Sequence, residues 1–158
     1  MFRLDKGGRM HKVIDRTKLA LLAILLAVGV STPVAAQEKI TVIEQATNNS
    51  FVDNNEEGDS VGDLLIFENS IYDAGYKNVI GYDSGSCIRI AVGEAWECTW
   101  TTSFEDGEIM VQGSFYDQGD SVLAITGGTG AYIGAVGELW VHPRKDDGTE
   151  YDFEFEMY

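Results

Sequence analysis

From residue 37 onward, hydrophobic and polar residues alternate over short stretches, and no run has the spacing of an amphipathic helix. These stretches are rich in β-branched and aromatic residues, and Gly, Asp and Asn separate them. The pattern predicts a polar, acidic loop over residues 47–62 and a break between strands near Ser84 and Gly85. A chain of about eight short strands forms either an antiparallel barrel or a two-sheet sandwich, and the pattern alone favours neither. The predicted strands cover residues 39–46, 63–68, 78–82, 86–92, 95–104, 109–115, 121–126, 137–142 and 150–157.

The first 36 residues have a different character. Six Lys and Arg residues precede an apolar run over residues 19–30, and Val34 and Ala36 occupy the two positions that a signal peptidase reads. The apolar run is about a dozen residues, whereas a membrane-spanning helix needs roughly 20, which disfavours a membrane anchor. We therefore expect a signal peptide at residues 1–36 and a single domain at residues 37–158. The protein would be secreted, to the extracellular space or the periplasm, with no membrane association after cleavage.

Charge excludes some partners. Residues 1–36 hold six of the 11 Lys and Arg and two of the 26 Asp and Glu, so residues 37–158 carry a net charge of −19. Such a surface repels nucleic acid and anionic membranes, and we expect neither as a partner. The acidic residues 53–59 lack the spacing of an EF-hand calcium loop, so we expect a solvated loop there.

Glycine-containing segments distinguish between the two folds. The segments at residues 111–113, 120–130 and 134–137, together with 67–73 and 85–88, resemble those of plant allene oxide cyclases in order and spacing. Gly127-Gly128-Thr129-Gly130 also resembles a turn of dirigent proteins; no Lys or helix follows it, unlike a phosphate-binding loop. The resemblance covers about residues 62–158. It implies an all-β fold, an eight-stranded antiparallel β-barrel, and a homotrimer. We expect these glycines to permit positive φ at a barrel corner.

Strand register predicts which side chains line the barrel. If Val92-Gly93 is a hairpin tip, Cys87 faces Cys98 and Arg89 faces Trp96. The resemblance places Cys87 toward the lumen, and alternation then sends Arg89, Trp96 and Trp100 inward as well. Cys87 and Cys98 would form either a disulfide or two buried free thiols.

The resemblance also implies candidate catalytic residues. Glu44 lies on the strand that carries an active-site glutamate in the cyclases, Asn69 matches a pocket asparagine, and Cys87 matches a strand cysteine. Glu44 is also a candidate ion partner for a buried Arg89. The alternatives are a solvent-facing Glu44 and a turn-forming Asn69. Phe115 occupies the position of a pocket tyrosine, so that hydroxyl is absent, and Phe115 would contact the ligand.

These observations predict a barrel that binds a small apolar or aromatic reactive intermediate and steers its cyclisation or coupling. Trp96 and Trp100 would form the wall of the pocket. No nucleophile–base pair and no metal-ligand set is visible, so we expect no metal and no cofactor. A non-catalytic secreted carrier and a structural barrel with a filled lumen are the alternatives. A solid lumen would eliminate both ligand hypotheses, and an open one with Glu44 or Arg89 pointing inward would favour chemistry.

Overall fold

The structure is a computed structural model that describes residues 2–4, 7, 10–12, 38–54 and 57–158. It divides into two units, Met1–Val34 and Ala35–Tyr158. In the first unit, β1 (Phe2–Leu4) and β2 (Met10–Lys12) pair as antiparallel strands. The predicted signal peptide lies mostly outside the described residues. In the described part of the chain, no helix has the length and apolar character to cross a membrane.

The second unit is an eight-stranded antiparallel β-barrel, as the resemblance implied. The sheet runs in the order β3-β11-β10-β9-β8-β7-β6-β5, and a pairing between β3 and β5 closes it. The extra strand β4 pairs with the first half of β5, and β3 pairs with the second half of β5. Together, β3 and β4 occupy the place of one strand beside β5 in the barrel. The strands are β3 (Glu38–Gln45), β4 (Asn49–Val52), β5 (Leu64–Asp73), β6 (Val79–Ala91), β7 (Ala95–Phe104), β8 (Gly107–Tyr116), β9 (Ser121–Gly130), β10 (Gly137–Pro143) and β11 (Glu150–Met157).

Two predictions of strand boundaries were wrong. The predicted loop over residues 47–62 contains β4, whose four residues are all exposed and carry no burial alternation that a pattern could reveal. The predicted break at Ser84 and Gly85 does not exist, because β6 is continuous through both. Gly85 faces Trp100 on β7, and a Cβ atom at position 85 would lie 2.3 Å from the Trp100 Cβ atom. Glycine is required there by a close side-chain approach, not by a turn.

The glycine segment at residues 127–130 extends β9 instead of ending it at residue 126. Of the three glycines expected at positive φ, only Gly130 has it, at +58°. Gly128 is needed for space, because a Cβ atom there would lie 2.4 Å from the carbonyl oxygen of Tyr132. The segment therefore serves close packing as well as the corner.

One half of the barrel interior is a packed core. Alternate residues of each strand point inward, and the innermost are fully buried. In the other half, the inward side chains of the same strands surround an open cavity. The packed half contains Val42, Ile71, Ile109, Ile125, Leu139 and Phe155.

Candidate functional site

A cavity of about 420 Å³ occupies the open half of the lumen, a size within the usual range for small-molecule sites. The inner end of the cavity, which we call its floor, borders the packed core. The outer end, its mouth, is formed by residues 116–119 and 145–148. The lumen is therefore hollow, which removes the alternative of a filled barrel. The floor carries Glu44, Asn69, Asp83, Trp100 and Phe153.

Aromatic rings line the cavity on several sides. Trp100 is stacked on Phe153 with ring centroids 5.8 Å apart and meets Phe67 edge-on at 6.0 Å. Phe115 meets Tyr151 edge-on at 5.6 Å. Rings held by neighbouring rings lose little further entropy when a guest arrives, so these walls are preorganised for a flat molecule.

Two carboxyl groups lie side by side at the floor. Glu44 is 6% exposed and Asp83 is fully buried. Burial raises the pKa of Glu44 to about 7, although hydrogen bonds with Asp83 and Asn69 oppose the rise. Burial also raises the pKa of Asp83 well above its usual value, and the adjacent charge of Glu44 adds to this. Two buried carboxyl groups that lie this close do not readily ionise together, so we expect the pair to keep a proton near neutral pH.

Asp83 has no cation partner among the described residues. Neither of its side-chain oxygens accepts a hydrogen bond from an N–H or O–H group of good geometry in the described chain. Its cross-strand neighbours on the same face are Asn69 on β5 and Thr102 on β7, and the Thr102 hydroxyl is likewise unpaired. A buried acid without a cation or a donor is costly unless it is neutral, which is consistent with proton sharing.

Asn69 holds Glu44 in place. Its Nδ2 donates to Glu44 Oε1 at 2.8 Å and to Asn49 Oδ1 at 3.3 Å, and its Oδ1 accepts from the Asn48 amide at 3.0 Å. The side chain is 2% exposed. The amide has thus committed its donors and acceptor to the protein, so its geometry favours positioning of Glu44 over direct contact with a guest.

Arg89 lies at the mouth of the cavity. The prediction that Glu44 is the ion partner of Arg89 was wrong. Arg89 Nε donates to Asp59 at 2.6 Å, and its Nη1 donates to Asp117 at 2.7 Å. The guanidinium lies 3.8 Å from the centroid of the Trp96 ring, and Trp96 Nε1 donates to Asp117 at 3.0 Å. Six residues of strand, about 20 Å, separate Arg89 from the level of the acid pair, which is beyond the reach of an arginine.

The contacts of Arg89 also show that the acidic loop at residues 53–59 is not wholly solvated. Asp59 was expected in a solvated segment, but it accepts from both Arg89 and the Gly93 amide. The loop is therefore attached to the barrel mouth at this residue. We call Arg89, Asp59, Asp117 and Trp96 the mouth cluster.

The predicted hairpin register is confirmed. Cys87 faces Cys98 and Arg89 faces Trp96, and these four side chains with Trp100 are buried on one face. Cys87 and Cys98 form a disulfide in the cavity wall, and the described chain has no free cysteine. In this form, Cys87 has no thiol with which to serve as an acid, a base or a nucleophile.

Several cavity residues were not predicted from the sequence, among them Asp83 and Tyr151. Asp83 has the same inward alternation as Cys87 and Arg89 on β6, but the supposed break at Gly85 concealed it. Tyr151 shares its face with Phe153 on β11, and no motif marks it. Among the described residues, no group of His, Cys, Asp and Glu side chains is arranged to hold a metal ion.

These features define a closed antiparallel barrel with an aromatic cavity and a buried acid pair. The family model for allene oxide cyclase matches residues 39–144. The chain belongs to the allene oxide cyclase family.

The chain is similar to solved structures whose names give several different activities. A pyocyanin demethylase is 26% identical, with a TM-score of 0.66 over 77% of this chain and 100% of that one. A pterocarpan synthase dirigent protein is 14% identical, with a TM-score of 0.62 over 78% of this chain and 94% of that one. An exo-specific intermolecular Diels-Alderase is 14% identical, with a TM-score of 0.61 over 77% of this chain and 98% of that one. At 14% identity, the last two show a shared fold alone.

Proposed function

We propose that this barrel binds a small aromatic or conjugated molecule and steers its cyclisation or coupling by proton transfer at the floor of the cavity. The observation that carries the proposal is the Glu44–Asp83 pair at the end of an open aromatic cavity, a pair of buried acids for which the described residues supply no cation. An inert carrier would gain nothing from this arrangement, which costs folding free energy. An open cavity with Glu44 facing it favours chemistry over simple carriage.

The proposed mechanism uses only side chains of this protein, which are the aromatic walls of the cavity and the acid pair at its floor. The aromatic walls hold a flexible guest near its reactive geometry, so that entropy is lost on binding and not on the way to the transition state. The walls also exclude water from a reactive intermediate. Glu44, with a pKa of about 7, can give a proton to the guest or take one from it near neutral pH, and Asp83 shares the change in charge.

A test is available without the natural substrate. The ring opening of 5-nitrobenzisoxazole begins when a base removes a ring proton, and the probe is flat and aromatic. We expect kcat/KM to rise with pH through about 7, the pKa of Glu44, and Glu44→Gln to lower it by about a hundredfold. Tyr82→Phe, on the outer face of β6, is the control and should react like the wild type. Equal rates for wild type and Glu44→Gln would remove the acid pair from the chemistry.

A second candidate function is demethylation of an aromatic nitrogen. The pyocyanin demethylase shares more sequence with this chain than the dirigent and Diels-Alderase structures do, and this chain covers its whole length. Incubation with pyocyanin and mass spectrometry of the product would test it. Loss of the methyl group in wild type would favour this candidate, and unchanged pyocyanin would exclude that substrate.

The proposal includes a homotrimer. The outer face of β6 to β9 carries exposed uncharged side chains, whereas the outer face of β11 and its neighbours is charged. An apolar surface of this kind is typical of contacts between subunits. We expect a trimer by native mass spectrometry, and a monomer at micromolar concentration would contradict it. The uncharged face includes Ile88, Ile90, Met110 and Val122.

We also propose that the barrel is exported after removal of residues 1–36. The Cys87–Cys98 disulfide supports this, because disulfides persist in oxidising compartments. Expression of the full chain should place a protein that begins at Gln37 outside the cytoplasm. A cytoplasmic product that retains residues 1–36 would contradict export.

A further inference from the structure

The cavity offers many acceptors of hydrogen bonds but few available donors. Arg89 and Trp96 direct their N–H groups at Asp117, in addition to the bond from Arg89 to Asp59. The amide of Asn69 is used by Glu44 and Asn49. A guest that carries an oxygen or nitrogen acceptor therefore needs a donor elsewhere in the lining.

Tyr151 supplies such a donor. It lines the cavity and is partly exposed to it, and its hydroxyl has no hydrogen-bond partner in the described part of the chain. Trp100 also has an unpaired N–H group, but that nitrogen is sealed from open space. The Tyr151 hydroxyl is thus an accessible unpaired donor in the described lining of the cavity, and it lies on the strand next to Glu44.

The position of Tyr151 is fixed by its neighbours. It faces Glu44 across β11 and β3, and its ring lies edge-on against Phe115. Burial, followed by the nearby charges of Glu44 and Asp117, raises the pKa of Tyr151 to about 12. The hydroxyl therefore keeps its proton over the physiological pH range and remains able to donate it in a hydrogen bond.

We infer that Tyr151 is a specificity-determining residue whose hydroxyl donates a hydrogen bond to the guest. The guest is then a flat aromatic or conjugated molecule with a carbonyl, ether or ring-nitrogen acceptor that lies within reach of β11. The inference rests on the proposed function for the existence of a guest. It adds the chemical class of that guest and the residue that selects it.

The matched probes 9-fluorenone and fluorene test the inference, because they differ only by a carbonyl group in place of a methylene group. Affinity is measured by quenching of tryptophan fluorescence. We expect wild type to prefer fluorenone by three- to tenfold, on the order of one hydrogen bond. Tyr151→Phe removes only the hydroxyl and should abolish the preference, while the outer-face control Tyr82→Phe should retain it.

An infrared spectrum gives a second readout that a structural role would not change. The carbonyl stretch of bound fluorenone should lie at lower frequency in wild type than in Tyr151→Phe. Equal affinity of wild type for both probes, an unshifted carbonyl stretch, or a preference that survives in Tyr151→Phe would each overturn the inference and leave the proposed function standing. Failure of wild type to bind either probe would instead count against the proposed function, and against the inference with it.

Discussion

The barrel holds acidic side chains in two surroundings that differ in how charge is balanced. In the mouth cluster, Asp59 and Asp117 form ion pairs with the guanidinium of Arg89. At the floor, Glu44 and Asp83 have no cation partner among the described residues; the Asn69 amide donates to Glu44, and burial raises the pKa of both carboxyl groups. Both arrangements are partly or fully buried, so burial alone does not explain the difference.

The mouth cluster and the acid pair at the floor are suited to different roles. An acid paired with arginine forms an ion pair that anchors its loop to the barrel. An acid pair without a cation changes its protonation state within the working pH range. The mouth cluster is therefore expected to govern stability, and the floor pair is expected to govern chemistry.

A large effect on stability is expected at the mouth. Arg89→Met leaves Asp59 and Asp117 without a cation and removes the contact with the Trp96 ring. We expect a loss of about 2–3 kcal/mol in the free energy of unfolding, at the low end for a broken buried ion pair because both carboxylates keep some water. Urea denaturation measures it. Lys39→Met, which removes a more exposed surface pair, is the control. Equal losses would show that the mouth cluster is an ordinary surface feature.

A comparable effect should appear at the floor as a dependence of stability on pH. Because the pKa of Glu44 is about 7 in the folded protein and 4.5 is its ordinary value, the folded state binds more protons between these two pH values. Stability should therefore fall as pH rises through that window, by about 3 kcal/mol. The raised pKa of Asp83 acts in the same direction.

The matched variants isolate this effect from the general repulsion of an acidic chain. Urea denaturation at several pH values should show a smaller fall in Asp83→Asn, because the contribution from the raised pKa of Asp83 is lost. The fall should shrink in Glu44→Gln as well. Carboxyl groups with lowered pKa values, such as Asp73 and Glu150, lose their contribution at lower pH and do not interfere. Identical curves for wild type and both variants would contradict the pH dependence assigned to the pair.

A smaller effect is expected when the support of the acid pair is removed. Asn69→Ala deletes hydrogen bonds to Glu44, to Asn49 and from the Asn48 amide, and should cost about 1–2 kcal/mol. It should also raise the pKa of Glu44, since the bond from Asn69 lowers it. The inflection in the nitrobenzisoxazole pH profile should then move to higher pH. An unchanged inflection, despite lost stability, would assign Asn69 to folding alone.

The sequence allowed the barrel and one of its walls to be predicted. Ordered glycine segments indicated the fold, and the short hairpin between β6 and β7 fixed the register that places Cys87, Arg89 and Trp96 in the lumen. The partners of Arg89 could not be predicted, because Asp59 reaches it through a loop whose path no strand pattern describes. Asp83 was missed because Gly85 has the appearance of a turn, whereas it makes room for the Trp100 side chain.

A carbon-13 NMR titration of the side-chain carboxyl groups tests the acid pair most directly, with Glu44→Gln and Asp83→Asn used to assign the two resonances. The account predicts that the Glu44 signal changes at about pH 7 and that the Asp83 midpoint falls in Glu44→Gln, because the charge of Glu44 raises the pKa of Asp83. A Glu44 signal that titrates near its ordinary value of 4.5, together with an Asp83 midpoint that Glu44→Gln leaves unchanged, would show that the two acids are not coupled at the floor of the cavity.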